Sequence, residues 1–374
     1  MANILIDLTQ IPSIKTGVAI YAKGYITKLK DTQNKYFLLI QNDEKDYDNL
    51  ENQNIFIIRL KYKIFRNFFF RTLMEQIYIP YLSIKMKIDV VHSMHYSFPF
   101  FLFCKRVISV HDMTFFLFPE YHVKIKVIYF RFFIKLIPYF ADKIVFVSKS
   151  TQSDFLQQFP KTDRSKIEQI YVGIDNEYNI NRENESFILS KYSLHSKKYI
   201  LFIGTIEPRK NVNGLLTAFS EYCKKNKNIN LAIIGMIGWK YTNSLKTIDE
   251  DIHSRINMLG YVSEEEKSII LSNALIFIYP SFYEGFGIPI LEAMIEEVPV
   301  ITSNISSMPE VIGNCGILID PTSPKNIEKA MIDLTDDAQL RTQLSMKAKE
   351  RTKLFKGVTS ADKYASLYGS IIKK

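Results

Sequence analysis

The chain has 374 residues, of which 47% are hydrophobic and 23% charged, and a formal net charge of +9 at pH 7. That length and balance suit two globular domains of ordinary size and exclude a disordered, collagen-like or low-complexity chain. The 3 cysteines, Cys104, Cys223 and Cys315, are odd in number, far apart and free of C-x-x-C or Cys/His ligand spacing, so a disulfide framework and a zinc site are disfavoured and a reducing compartment is expected.

Residues 1–8 (MANILIDL) carry neither a charged leader nor a long apolar core and do not read as a signal peptide. No apolar run approaches the ~20 residues of a membrane span, and a cytoplasmic location is expected. Residues 4–8 read as a strand and 18–29 as a helix opened by Gly17. Short strands at 37–40 and 55–58 flank a polar loop over 41–54. A helix over 70–85 precedes strands at 89–92 and 107–110. A helix over 123–140, a strand at 144–148, a helix over 152–159 and a strand at 167–172 complete the first half. Such alternation predicts a parallel sheet with helices on both faces.

Residues 176–198 are polar and lack a sustained period, so they are assigned as a linker between a domain over 1–175 and a second over 199–355. The second half restarts with a strand at 199–203, a helix over 212–223 and strands at 230–234 and 256–259. Ser263 and Glu266 form a capping-box pattern before a helix ending at 272. Strands follow at 274–279, 300–302 and 317–319. The final helix, 356–374, is expected to pack back on the first domain. The economical architecture is α/β, with two Rossmann-like, doubly wound parallel sheets facing each other across a cleft and ligands at the carboxyl ends of the strands.

The charge is concentrated. Residues 55–143 hold 14 Lys and Arg against 5 Asp and Glu, which accounts for the whole excess. The same segment is aromatic, with runs at 68–70, 98–103 and 129–133. In the helix expected at 123–140, Lys124, Arg131 and Lys135 fall on one stripe. They could be a solvated edge, or cations meeting anionic lipid headgroups while aromatic side chains enter the boundary. No nucleic-acid-binding motif accompanies the charge, so a nucleic-acid partner is not expected.

The most informative stretch is 280–294, PSFYEGFGIPILEAM. It reads as the end of a buried strand, a glycine loop and a helix start. Gly285 and Gly287 let the backbone turn tightly and approach a ligand, with Phe286 and Ile288 completing the turn. Pro289 suits a first helical turn. A helix start after such a loop offers free N–H donors and a positive dipole end to a phosphate. Glu292 lies a turn further in, where it can accept hydrogen bonds from ribose hydroxyls, and Glu284 can reach a sugar hydroxyl. Arg209 and Lys210 follow an apolar strand and stand at a helix start, where cations oppose the dipole; a bound anion would resolve that conflict. Asp46/Asp48 and Asp249/Asp251 superficially resemble a metal-binding D-x-D pair, but no apolar strand precedes them and they read as solvated.

The Glu-x7-Glu spacing of Glu284 and Glu292, with EGFG inside it, resembles the donor-site signature of retaining GT-B glycosyltransferases of family 4 (group 1), which include bacterial mannosyltransferases of O-antigen and capsule synthesis. Companion segments fall in family order: His111-Asp112 within SVHDM, Val147-Ser148, GTIEPRKN over 204–211, GMIGW over 235–239, LGYV over 259–262 and SMPEV over 307–311. Three places depart from the family pattern. Thr205 stands where some relatives carry Arg, 295–299 reads IEEVP, and Lys356-Gly357 replaces a common tryptophan.

The resemblance implies that Arg209 and Lys210 hold the donor diphosphate and that Glu292 binds the ribose. Glu284 and His111 would contact the transferred sugar, with Asp112 beside them. Gly17 would let the backbone near the diphosphate, and Tyr261 and Val262 would lie near the base. Trp239 is read as packing and Ser148 as a cap with a lesser site role. No cofactor or catalytic metal is implied. The expected reaction moves a hexose, mannose first, from a nucleotide diphosphate sugar, GDP-mannose first, to a lipid-linked saccharide with anomeric retention. The first domain would be the acceptor side, and the protein would be peripheral at the inner face of the plasma membrane. A sugar-nucleotide epimerase and a catalytically silent saccharide-binding relative are the alternatives. A nicotinamide oxidoreductase is disfavoured, since no G-x-G-x-x-G follows the first strand.

Overall fold

The computed structural model describes residues 2–13, 17–30, 33–174, 184–238 and 250–372. Trp239, Asp249 and part of the expected linker, 176–183, lie outside the described residues. The chain divides into two compact units, Met1–Asp175 with Phe355–Lys374, and Asn176–Leu354.

The first unit is built on β1 (Ala2–Asp7), β2 (Asn34–Ile40), β3 (Ile55–Arg59), β4 (Val90–Ser93), β5 (Lys105–Val110), β6 (Lys143–Phe146) and β7 (Ile167–Gln169). All pair in parallel, in the order β3-β2-β1-β4-β5-β6-β7. The order reverses between β1 and β4, the switch point where doubly wound sheets open a crevice. Its helices are α1 (Gly17–Ile26), α2 (Phe68–Lys85), α3 (Thr114–Leu117), α4 (Lys124–Phe140) and α5 (Lys149–Gln158).

The second unit holds α6 (Glu185–Lys191), β8 (Tyr199–Ile203), α7 (Val212–Lys225), β9 (Asn230–Ile234), α8 (Glu250–His253), β10 (Ile256–Gly260) and α9 (Glu264–Ser272). It continues with β11 (Ile276–Tyr279), α10 (Ile288–Ile295), β12 (Val300–Ser303), α11 (Met308–Ile312), β13 (Ile317–Ile319), α12 (Pro324–Asp336) and α13 (Ala338–Arg351). The sheet is again parallel, ordered β10-β9-β8-β11-β12-β13, with its switch point between β8 and β11. The sequences of β8 (YILFI) and β11 (IFIY) are apolar at every position because both faces are covered, and every residue in them is buried. The capping box forms as read: Ser263 Oγ accepts from Glu266 N at 3.2 Å and Glu266 Oε2 accepts from Ser263 N at 3.0 Å.

The segment 176–198 is not irregular throughout. Residues Glu185–Lys191 form α6, packed on α9. The missing period has a simple cause: α6 is too short for one, and only Ile188 and Leu189 are buried in it. The last helix, α14 (Gly357–Ile372), belongs to the first unit and packs on α1. Tyr364 stacks on Tyr25 with ring centroids 4.1 Å apart, and the Tyr368 hydroxyl meets His92 Nδ1 at 2.7 Å. A Cβ at Gly173 would stand 2.6 Å from the Gly357 Cα, so the two backbones pack closely there and position 173 does not tolerate a side chain.

The helix expected at 123–140 is α4, and its inner face supplies Phe130, Phe133, Ile134 and Ile137 to the core around β5 and β6. Each such side chain contributes about 1.5–3 kcal/mol when fully buried. Arg131 does not join a cationic stripe. Its Nε donates to the Phe115 carbonyl at 2.7 Å and its Nη2 to that of Phe116 at 3.2 Å, with the guanidinium over the Phe116 ring. It ties α4 to α3, because the carbonyls at that short helix end need donors. No helix among the described residues is long and apolar enough to cross a membrane.

Candidate active site

In the second unit, β8 and β11 end side by side and feed the two loops singled out in the sequence. After β8 the chain makes a short turn, Pro208–Lys210, and Asn211 takes left-handed φ 56° to start α7. Asn211 Oδ1 caps that helix by accepting from Gly214 N at 3.2 Å, while its Nδ2 donates to the Pro321 carbonyl at 2.6 Å. After β11 the glycine loop reaches Gly287 at φ 101°, a conformation that favours glycine, and α10 begins with Ile288 and Pro289. A Cβ at Gly287 would also press on Ile290 Cδ1 at 3.0 Å.

The two loops meet through charge. Lys210 Nζ lies 2.6 Å from Glu284 Oε1, and Arg209 Nη1 lies 3.0 Å from Glu284 Oε2. Glu207 holds Arg209 from the other side at 2.7 Å. Backbone bonds lock the register: Phe282 N donates to the Arg209 carbonyl and Arg209 Nη1 to that of Tyr283, both at 2.8 Å. The Tyr279 hydroxyl also accepts from Lys210. Burial would raise the Glu284 carboxyl, but Arg209 and Lys210 outweigh it and hold it down at about 2. Burial lowers the Lys210 ammonium as well. A carboxylate gripped by two cations does not retain a proton, so the ion pair is the form that the geometry supports.

The helix-dipole conflict expected of Arg209 and Lys210 is therefore already relieved by Glu284 within the chain. Hydroxyls fix the glycine loop from behind: Ser306 and Ser307 Oγ donate to the Glu284 carbonyl at 2.7 and 2.9 Å, and Ser307 Oγ also to that of Phe286 at 2.8 Å. Here SMPEV over 307–311 acquires its use. It opens α11, and its leading serine braces the loop carrying Glu284.

Glu292 sits on the second turn of α10 and accepts from Lys267 Nζ at 2.8 Å; Lys267 also meets Glu264 at 2.7 Å. Burial raises the Glu292 carboxyl against the pull of Lys267. Lys267 and Glu207 were missed in the sequence. The only available signal was their spacing, with Glu207 two residues before Arg209 and Lys267 three after Glu264. Tyr261 and Val262 join β10 to α9; Val262 is buried, whereas Tyr261 is 66% exposed.

In the first unit, His111 follows β5 and its Nε2 lies 2.7 Å from the Met94 carbonyl. A carbonyl only accepts, so the proton sits on Nε2 and Nδ1 keeps its lone pair. Burial lowers the His111 pKa and keeps the ring neutral. Asp112 is engaged in a turn: its Oδ1 accepts from the Thr114 amide at 2.9 Å and hydroxyl at 2.6 Å. Gly17 is the exposed first residue of α1. Ser148 caps α5 by accepting from Thr151 N at 3.0 Å, the plainer of its two readings.

A second polar group at this sheet's carboxyl edge was not anticipated. Glu75 is fully buried and pairs with Arg71 at 3.0 Å while accepting from Ser97 Oγ at 2.7 Å. Burial pushes its carboxyl up to about 7. Asp7 Oδ2 and His95 Nδ1 are buried without a hydrogen-bond partner. The i,i+4 spacing of Arg71 and Glu75 on a predicted helix was legible, but such pairs are ordinarily solvated.

Two doubly wound parallel-sheet units, with the conspicuous loops at the carboxyl ends of β8 and β11, define the GT-B class of α/β proteins. Residues 16–178 match Glycosyltransferase Family 4 and residues 184–351 match Glycosyl transferases group 1. The chain is 33% identical over 254 residues to O-antigen chain mannosyltransferase B of Escherichia coli, covering 67% of this chain and 66% of that protein. It is 25% identical over 339 residues to O-antigen chain mannosyltransferase RfbU of Salmonella typhimurium, covering 87% and 89%. Anabaena Alr3699/HepE, solved in complex with UDP and glucose, superposes with a TM-score of 0.74 at 16% identity, over 99% of this chain and 100% of that one. The chain belongs to the group 1, family 4 glycosyltransferases.

Proposed function

We propose that this glycosyltransferase moves a hexose, with mannose as first choice, from a nucleotide diphosphate sugar to a lipid-linked saccharide in surface-polysaccharide synthesis, with retention at the anomeric carbon. The observation that carries the reading is the Glu284–Arg209–Lys210 cluster, where a buried lysine and a half-buried arginine meet the carboxylate that begins the glycine loop leading into α10. Such a place suits a diphosphate, which is the leaving group of this reaction. Cations fixed there neutralise charge as it develops on the departing oxygens, and that stabilisation usually dominates such catalysis.

In this reading Glu292 takes the ribose hydroxyls and Glu284 a hydroxyl of the transferred sugar. The acceptor hydroxyl attacks from the face that the diphosphate leaves, since no side chain in the proposed site is a clear nucleophile for a double displacement. GDP-mannose is preferred because the two curated relatives named above are mannosyltransferases; the UDP-bound neighbour keeps UDP-hexoses as the rival donors.

A thermal-shift screen with GDP, UDP and dTDP tests the donor site. A ligand that binds only the folded state raises the melting temperature by mass action. The expected result is a shift with GDP larger than with the other two. No shift with any of them, alongside a working control, would sink the reading. Mass spectrometry of the products separates transfer, which lengthens the acceptor, from epimerisation, which needs none.

A further inference from the structure

The sequence left open a lipid contact through the cations of one helix; Arg131 is turned inward, and the structure offers a wider surface. On α2, Phe69, Leu73, Ile77, Tyr81 and Ile84 are exposed at steps of four and three, along one stripe. The opposite side of that helix, with Met74, Ile79 and Leu82, is buried. On α4, Ile125, Ile128, Phe132 and Tyr139 form a second exposed stripe, again opposite the buried one. The chain between β4 and β5 carries the two most exposed phenylalanines, Phe101 at 79% and Phe103 at 90%.

These three pieces are joined. Thr72 on α2 meets the Tyr129 hydroxyl of α4 at 3.2 Å, and Phe68 packs edge-on against the Tyr129 ring. Gln76 grips the intervening loop by donating to the Phe98 carbonyl at 2.9 Å and accepting from Phe100 N at 3.0 Å. Phe100 in turn packs against Phe132 and Phe133. An exposed apolar surface of this extent marks an interaction site.

Charge selects the occupant. Lys63, Lys124, Lys126 and Lys135 stand exposed in the same region and form no ion pair among the described residues. A second copy of the chain would set one basic rim against another, whereas an anionic bilayer satisfies rim and apolar face together. Aromatic and aliphatic side chains flanked by lysines are also what an interfacial helix presents to the headgroup and acyl boundary. We infer that α2, the 98–104 loop and α4 form one docking face on which the first unit rests on an anionic lipid surface. This inference stands apart from the proposed reaction, because vesicle binding is read without turnover.

The test is co-sedimentation of the full chain with phosphatidylcholine vesicles, with and without phosphatidylglycerol. Binding to the anionic vesicles at low salt is expected, weaker in high salt as screening grows, and roughly tenfold or more weaker on the neutral ones. Leu73→Glu/Ile77→Glu on α2 and, separately, Phe101→Ser/Phe103→Ser in the loop should each lower binding by roughly tenfold or more with melting unchanged. Both pairs are exposed, so the two variants guard against a folding artefact in either. Three results would overturn the inference: no binding of the wild type to anionic vesicles at low salt, unchanged binding in both variants, or a concentration-dependent dimer that both variants abolish.

Discussion

Replacing Glu284 by Gln separates the proposed donor site from a purely structural ion cluster, because the two readings predict opposite signs for ligand affinity. The carboxylate stands 2.6 Å from Lys210 and 3.0 Å from Arg209, with Glu284 and Lys210 both under 9% exposed. Breaking a buried pair destabilises by about 3–5 kcal/mol, because an uncompensated charge remains. The amide oxygen keeps part of one bond and Glu207 still holds Arg209, so a loss of about 3 kcal/mol is expected.

A nucleoside diphosphate should respond the other way. In the wild type it competes with Glu284 for the same two cations, and each charge-assisted bond is worth about 1.5–3 kcal/mol. Relieving even about 1.4 kcal/mol of that competition tightens binding tenfold. Calorimetric titration of GDP and UDP into folded Glu284→Gln should therefore show roughly tenfold tighter binding. Transfer should fall by roughly ten- to a hundredfold as the hydroxyl contact is lost. Equal or weaker nucleotide affinity in a variant that still melts cooperatively would refute the assignment of Arg209 and Lys210 to the diphosphate.

Other consequences concern residues outside the Glu284 cluster. Lys267→Met strips Glu292 of its counter-charge and should raise the donor KM roughly tenfold with kcat little changed, the signature of lost uniform binding in steady-state kinetics. Glu75 has a folded pKa near 7 against the usual 4.5. Between those values the unfolded chain ionises while the folded one holds its proton, so wild-type stability falls as pH rises through that window. Relative to Glu75→Gln the loss should reach at most about 3 kcal/mol, seen as melting curves of the two proteins that diverge from pH ~4.5 to ~7 and run parallel above. Arg131→Met should lower stability by about 2 kcal/mol through its two carbonyl bonds, yet leave vesicle binding intact. Weakened binding in that variant would return Arg131 to the lipid face.

The strands were legible because a parallel sheet covered on both faces demands continuous apolar runs, and β8, β9 and β13 match their expected limits. The capping box was legible because its chemistry is local. Short helices such as α3, α6 and α11 were not, since four to seven residues cannot display a 3.6-residue period. Within the candidate site, the glycine loop and Glu284, Arg209 and Lys210 could be named from loop chemistry and motif order. Their neutralisation of one another could not, because it joins residues 74 and 75 positions apart that meet only when β8 and β11 pair. The same limit hid Lys267 behind Glu292. Net charge misled on Arg131, since composition counts a guanidinium without showing which carbonyls it faces.

Hydrogen exchange with and without a nucleoside diphosphate tests the central claim most directly, because it reports where the ligand sits. The account predicts slowed exchange over residues 205–214 and 281–292 when GDP or UDP is added, with the carboxyl ends of β8 and β11 leading. Saturating nucleotide that leaves both segments unchanged, or that protects some other part of the chain instead, would contradict it.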